Sequence, residues 1–283
     1  MGGVLSHGAS VKEFLFTQAD FDRVRQLIYA RAGISLGEGK HEMVYSRLAR
    51  RLRALGLTTC TAYLQLLADQ ANAPEWEFFT NALTTNLTAF FREAHHFPIL
   101  AAHVRQKKAP IVLWTCASSS GEEPYSMAIA ACEAFDSLTP PVSILATDID
   151  TQVLETAGAG IYPLSRLNGL SEERLQRYFL RGRGEQSGFV RIRPELRSMV
   201  SFKRLNLLSD EWGISTQVDA IFCRNVMIYF DKLTQGNILR RFVPLLKADG
   251  LLFSGHSENL AFVTDRFTLK GKTVYELSQR LGT

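Results

Sequence analysis

From residue 97 to the C-terminus, short apolar runs alternate with helical stretches. That alternation restricts this part of the chain to a parallel sheet covered by helices on both faces. Ile111-Val112-Leu113-Trp114 has the length and character of a buried strand. A helix from about Pro124 to Phe135 follows, then a strand at Val142-Ser143-Ile144-Leu145-Ala146 and a helix from Val153 to Ala157. The unit recurs with a strand at Asp219-Ala220-Ile221-Phe222-Cys223 and a helix from Leu233 to Leu246. Gly250-Leu251-Leu252-Phe253-Ser254 then opens a closing strand pair with about Phe267 to Leu277, which predicts an antiparallel edge.

Upstream, from about Ala19 to Asn86, only helices are legible. Phe21, Val24, Leu27 and Ile28 recur at helical spacing. A second helix runs from about Lys40 to Leu55 and stops at Gly56. Tyr63, Leu64, Leu66 and Leu67 mark a third, and Trp76 to Leu83 a fourth. Between about Gly160 and Ser201 the strand–helix alternation breaks. A helical stretch (Ser171 to Tyr178) leads into Arg181-Gly182-Arg183-Gly184. Phe189-Val190-Arg191-Ile192-Arg193 then alternates apolar and basic, which predicts a small antiparallel insertion, basic on one face.

Composition narrows the function. The 283 residues are 46% hydrophobic with a net charge of +4, enough for a sizeable core and too weakly basic to imply nucleic acid by itself. No apolar run approaches the roughly 20 residues that span a bilayer, and the N-terminus lacks a secretory layout. These readings predict a cytoplasmic protein without direct membrane insertion. Cys60, Cys116, Cys132 and Cys223 are far apart, so neither a disulfide framework nor a zinc site is expected. The six histidines show no metal-ligand spacing.

Ligands of an open parallel sheet bind at the carboxyl ends of its strands. Three segments fall there. Thr115 to Glu123 is a small-residue turn in which Gly121 lets the backbone approach a ligand. Asp148 ends the next strand, where a carboxylate can accept both hydroxyls of an adenosine ribose. Cys223 to Phe230 ends a later strand. Taken singly, Gly121 reads as an ordinary turn, and Asp148 reads equally as a helix cap or a ligand carboxylate. In this order, one helix and one strand apart, they point to an adenosine site. The absence of GxGxxG speaks against a bound pyrophosphate and for a nucleoside without phosphates.

Four segments together resemble the chemotaxis receptor methyltransferases, the CheR family. Thr84-Thr85-Asn86-Leu87-Thr88-Ala89-Phe90-Phe91-Arg92-Glu93 resembles its linker signature, and Ser119-Ser120-Gly121-Glu122-Glu123-Pro124-Tyr125-Ser126 its cofactor loop. Ala146-Thr147-Asp148-Ile149-Asp150 and Cys223-Arg224-Asn225-Val226-Met227-Ile228-Tyr229-Phe230 resemble two further motifs. The resemblance runs from about Ala19 to the C-terminus. It implies an α/β protein with a class I, Rossmann-like methyltransferase sheet, an all-helical N-terminal domain and a small antiparallel β insertion. The expected boundaries are a tail over 1–18, a helical domain over 19–85, a linker over 86–96 and a methyltransferase domain over 97–283, with the insertion at about 160–201.

The resemblance further implies S-adenosylmethionine as cofactor, S-adenosylhomocysteine as product, and glutamate side chains of chemoreceptors as acceptors. By motif position Asn86, Thr88, Arg92, Glu123, Asp148, Asn206, Leu207, Arg224 and Asn225 would line the cofactor site. From the residues alone Asn206 reads as a turn residue, while Arg92 reads equally as a partner of Glu93 or an orienting group for a carboxylate, and Tyr229 equally as a buried aromatic or a neutral donor. The resemblance implies that Asn206 reaches an adenine edge, that Arg92 orients a carboxylate, and that Tyr229 is a neutral donor near the methyl. Arg47, Arg50 and Arg51 share one face of the second helix with Arg53 beside it, a face suited to an acidic helical substrate. Arg181 and Arg191, with Arg183 and Arg193, suit an acidic peptide, such as a receptor's C-terminal tail, added as a strand to the insertion. Two rivals stand beside this reading. One is a nucleic-acid methyltransferase, although Cys223 lacks the Pro-Cys context of cytosine chemistry. The other is a non-catalytic adaptor that senses the cofactor.

Overall fold

The computed structural model describes residues 13–69 and 73–278. Most of the tail expected over 1–18, and the last five residues of the domain expected to end at 283, lie outside the described residues. The chain forms two units, one of residues up to 31 and 36–83, the other of 32–35 and the remainder from 84 onward.

The first unit is helical: α1 (Gln18–Ala32), α2 (His41–Leu55), α3 (Cys60–Ala68) and α4 (Ala73–Leu83). Thr17 and Asp20 cap α1 reciprocally. The Asp20 N–H donates to the Thr17 hydroxyl at 3.1 Å, and the Thr17 N–H donates to the Asp20 carboxylate at 2.9 Å, so free donors at the helix start are satisfied. Gly56, with φ +66°, ends α2 as expected. Phe21, Val24, Ile28, Val44, Leu48, Tyr63 and Phe79 are buried as this unit's core.

The second unit is the α/β part. In chain order it contains α5 (His96–Arg105), β1 (Ile111–Thr115), α6 (Glu122–Phe135), β2 (Val142–Asp148) and α7 (Thr151–Ala159). Next come β3 (Ile161–Pro163), α8 (Glu172–Tyr178), β4 (Phe179–Arg181), β5 (Phe189–Ile192), α9 (Pro194–Ser198) and β6 (Val200–Arg204). It closes with β7 (Val218–Cys223), α10 (Lys232–Phe242), β8 (Leu246–Ser254), β9 (Phe267–Gly271) and β10 (Val274–Leu277). Seven strands form one sheet in the order β6-β2-β1-β7-β8-β10-β9, all running the same way except β10, which is antiparallel to both β8 and β9. The central strands β1 and β7 are buried on both faces. Leu113, Phe222 and Phe253 share one core with α6, while Trp114, Ile221 and Leu252 share the other with α10. β3, β5 and β4 form the expected small antiparallel sheet.

Three details differ from the sequence reading. The stretch 267–277 is a hairpin, not one strand. β10 pairs with β8 and β9 lies outermost, turned by Lys272 and Thr273, both left-handed without being glycine. The helix expected to reach Leu246 stops at Phe242, because Pro244 follows and cannot continue its hydrogen bonds; β8 starts directly at Leu246. Helix α5 lies where the sequence reading placed no element.

Candidate active site

Strand order reverses around β1, which lies between β2 and β7. The crevice at their carboxyl ends is therefore the expected ligand position. The turn after β1 leads to Ser119, whose φ is +47°. Its N–H donates to Asp148 Oδ2 at 2.8 Å, and the N–H of Asp150 donates to Asp148 Oδ1 at 3.0 Å. Asp148 is only 8% exposed. Burial pushes its carboxyl up to about 6, against the pull of those N–H groups. Each oxygen keeps a lone pair for a further donor.

The linker is tied to the same place. The Ser119 hydroxyl donates to the Asn86 carbonyl at 3.0 Å, and Asn86 Nδ2 donates to Asp150 Oδ2 at 2.7 Å. Asp150 also caps α7, accepting from the N–H groups of Gln152 and Val153. Gly121 also has a packing role. Its φ is +98°, and a Cβ there would lie 2.7 Å from the Tyr162 hydroxyl and 2.9 Å from Ala157 Cβ. The close approach is to α7 and the insertion.

At the end of β7, Arg224 is buried between two carboxylates. Nη1 donates to Glu123 Oε2 at 2.8 Å, and Nη2 lies 3.3 Å from Glu93 Oε2 and also donates to the Arg92 carbonyl. Glu123 Oε1 accepts from the Thr115 hydroxyl at 2.6 Å. Asn225 Nδ2 donates to Glu93 Oε1 at 3.2 Å, and the Asn225 N–H donates to Glu258 Oε2 at 2.9 Å. Burial acts to raise the Glu93 carboxyl, but the His256 N–H and the Arg224 charge outweigh it and hold the group below its ordinary value. Phe91, Glu93, Ser119 and Asn225 all have φ between +47° and +57°. Such conformations cost roughly 1–3 kcal/mol each and gather at functional sites.

The remaining expected residues are placed as follows. Arg92 is half-buried, and Nη1 donates to the Leu87 carbonyl at 2.9 Å. Thr88 and Tyr229 are half-buried, and Tyr229 lies in a single 3-10 turn after β7. Asn206 Oδ1 accepts from the Leu208 N–H at 3.0 Å, a turn of the kind its sequence suggested. The Leu207 side chain is buried in the α10-side core, so any contact it makes with a ligand would come from its main chain.

In the helical unit Arg51 is held by Glu75 through bonds of 2.6 and 2.5 Å and stacks on Phe78. Arg53 pairs with Glu13, Arg47 donates to the Ala82 carbonyl, and Arg50 is exposed. On the insertion, Arg181 pairs with Glu172 and Arg191 is exposed.

The donor set suits a nucleoside carrying an amino-acid tail. Asp148 can accept ribose hydroxyls, Glu123 can face an ammonium, and Arg92 can face a carboxylate. The buried Ser118 hydroxyl and Arg224 Nε take no hydrogen-bond partner among the described residues, which leaves polar capacity at this site. Glu258 carries no signal in the sequence, and Asp150 and Glu93 stand there only within motifs. Their partners lie up to 163 residues away, beyond any local spacing.

The strand order, the reversal at β1 and this ring of polar groups define a class I S-adenosylmethionine-dependent methyltransferase. Residues 86–275 match the family model described as CheR methyltransferase, SAM binding domain, and residues 19–84 that of CheR methyltransferase, all-alpha domain. The chain is 56% identical to a chemotaxis protein methyltransferase of Salmonella typhimurium, with 93% of this chain and 91% of that protein covered. It is 54% identical to one of Escherichia coli (93% and 92% covered) and 50% identical to chemotaxis protein methyltransferase 2 of Pseudomonas aeruginosa (93% and 95% covered). The chain belongs to the CheR methyltransferase family, and its cofactor is S-adenosylmethionine.

Proposed function

We propose that this enzyme methylates glutamate side chains in the helical cytoplasmic region of chemoreceptors, leaving methyl esters and S-adenosylhomocysteine. The bound cofactor supplies a methyl group already activated by its sulfonium. An acceptor glutamate is ionised at neutral pH and needs no deprotonation. The chain's own task is therefore to align the carboxylate and exclude water.

The observation that carries this reading is how the ionisable groups around the end of β7 are engaged. His96 is buried, with Nε2 3.1 Å from the Lys272 carbonyl, and burial and the Arg224 charge push it down to about 4. Burial pushes the Cys223 thiol well above its ordinary value. Neither group is poised as base or nucleophile at neutral pH, which suits an anionic acceptor and disfavours cytosine chemistry.

Arg92 is proposed to orient the acceptor or the cofactor's carboxylate, and Tyr229 to donate near the methyl. Asn86, Thr88, Glu123, Asp148, Asn206, Leu207, Arg224 and Asn225 are the proposed cofactor lining. Arg50 is the residue of the α2 basic face best placed to meet an acidic receptor helix, being exposed. The insertion's outer strand β4 pairs only with β5 among the described residues, which supports docking of an acidic receptor tail by strand addition. No helix among the described residues is long and apolar enough to cross a membrane. The test is transfer of labelled methyl to receptor-containing membranes, followed by mild alkali. Label on the receptor, released as methanol, is expected. Label that stays through alkali, or passes to added nucleic acid, overturns the assignment.

A further inference from the structure

Glu258 is a 5% exposed carboxylate in the polar loop that follows β8. Its Oε2 accepts from two loops at once, from the Asn225 N–H after β7 at 2.9 Å and from the Gly255 N–H after β8 at 2.5 Å. Oε1 is buried with no hydrogen-bond partner among the described residues. Across Asn225, Glu93 completes the clamp, accepting the Asn225 side-chain amide at 3.2 Å and the His256 N–H at 3.0 Å. Asn225 is thus gripped by its main chain from one carboxylate and by its side chain from another, in a left-handed conformation with φ +57°. Gly255, beside them, has no side chain. A Cβ there would lie 2.5 Å from Asn225 Nδ2 and 2.7 Å from Glu258 Oε2, so the space is filled by the clamp itself.

We propose that Glu258 is a positioning residue for methyl transfer: it latches the loop after β7 to the loop after β8 and holds Asn225 in the strained backbone that completes the cofactor site. A buried carboxylate without a cation of its own is a costly choice for a loop staple, since burial raises its pKa against the pull of the Gly255, Asn225, Met227 and Ile228 N–H groups. Backbone donors from two loops converging on one anion account for its retention. The inference rests on the reading that Asn225 belongs to the cofactor site.

The test uses the full chain with Glu258→Gln, Glu258→Asp and Gly255→Ala. Glu258→Gln keeps the shape and can still offer its amide oxygen to the Asn225 and Gly255 N–H groups, but it removes the negative charge that holds both loops and puts an NH2 where the unpartnered Oε1 lay. Gly255→Ala wedges the clamp and leaves every ionisable group in place. The dissociation constant for S-adenosylmethionine is expected to rise about tenfold or more in both, with amide exchange accelerated at residues 225–228 and 255. KM for the receptor should stay unchanged, and Glu258→Asp should recover part of the loss. Cofactor affinity within about twofold of the parent in either folded variant overturns the proposal. So does a loss of the whole melting transition in both, which would make Glu258 a general stability element. Asp148→Asn serves as the control: if it loses the cofactor while Glu258→Gln keeps it, only the latch fails. If variants of Asp148 and Asn225 all keep it, the site reading itself fails.

Discussion

Asp148 is nearly buried, accepts two backbone N–H groups and has its carboxyl pushed up to about 6 by burial. Relative to an unfolded value of 3.8 the shift is upward. Its contribution to stability is therefore fully present below about 4 and is lost as pH rises through about 6. Cofactor binding should run the other way if the ionised form accepts the ribose hydroxyls. Affinity measured by calorimetry is expected to fall about tenfold between pH 7 and pH 5, and that dependence should flatten in Asp148→Asn. Arg224 makes a second, independent prediction. Removing it by Arg224→Ala leaves Glu93 and Glu123 close together without their shared cation. Urea denaturation should show a loss of roughly 3–5 kcal/mol. Asp148 was legible in the sequence because a single acid at a strand end has a recurrent meaning. Glu258 was not, because His256-Ser257-Glu258-Asn259 reads as solvated loop until Asn225, 33 residues earlier, is folded against it.

Helix α2 carries four arginines with different duties. Arg51→Ala removes a bidentate pair with Glu75 and the stacking on Phe78, so thermal or urea unfolding should register roughly 1.5–3 kcal/mol. Arg50→Ala, at an exposed position, should leave unfolding unchanged and weaken receptor binding in a salt-dependent way. Equal effects of the two changes on receptor affinity, with no difference in stability, would sink this division of labour. Residue spacing brought these side chains to one face but could not tell which already had a partner. The same limit shows elsewhere. Strands β1 and β7 were legible because both of their faces are buried, which makes them mostly apolar runs. Helix α5 was hidden because Pro98 and the pair His95-His96 crowd its start, although Phe97, Leu100 and Val104 do bury at helical spacing. The β9–β10 turn was hidden because it is made by Lys272 and Thr273 rather than by Asn-Gly.

At the scale of the whole molecule, all the proposed cofactor residues belong to one unit, the one containing residues 84–278. Bound cofactor at about 100 times its dissociation constant should stabilise that unit by about 2.7 kcal/mol. Hydrogen-exchange protection is expected around 86–93, 115–123, 148–150 and 224–229. Protection spread evenly over the α1–α4 core as well would show that the two units unfold as one. The three tryptophans are divided in the same way. Trp76 lies half-buried in α4, edge-on to Phe79 and beneath Arg31. Trp114 is fully buried in β1, bonded through Nε1 to the Thr147 hydroxyl and 5.4 Å from the ring of Trp212. With Trp76→Phe, intrinsic fluorescence would come from the sheet unit alone, from two indoles close enough to exchange excitation and one strand-end away from the cofactor turn. The wild-type molecule therefore carries a separate optical reporter for each of its halves.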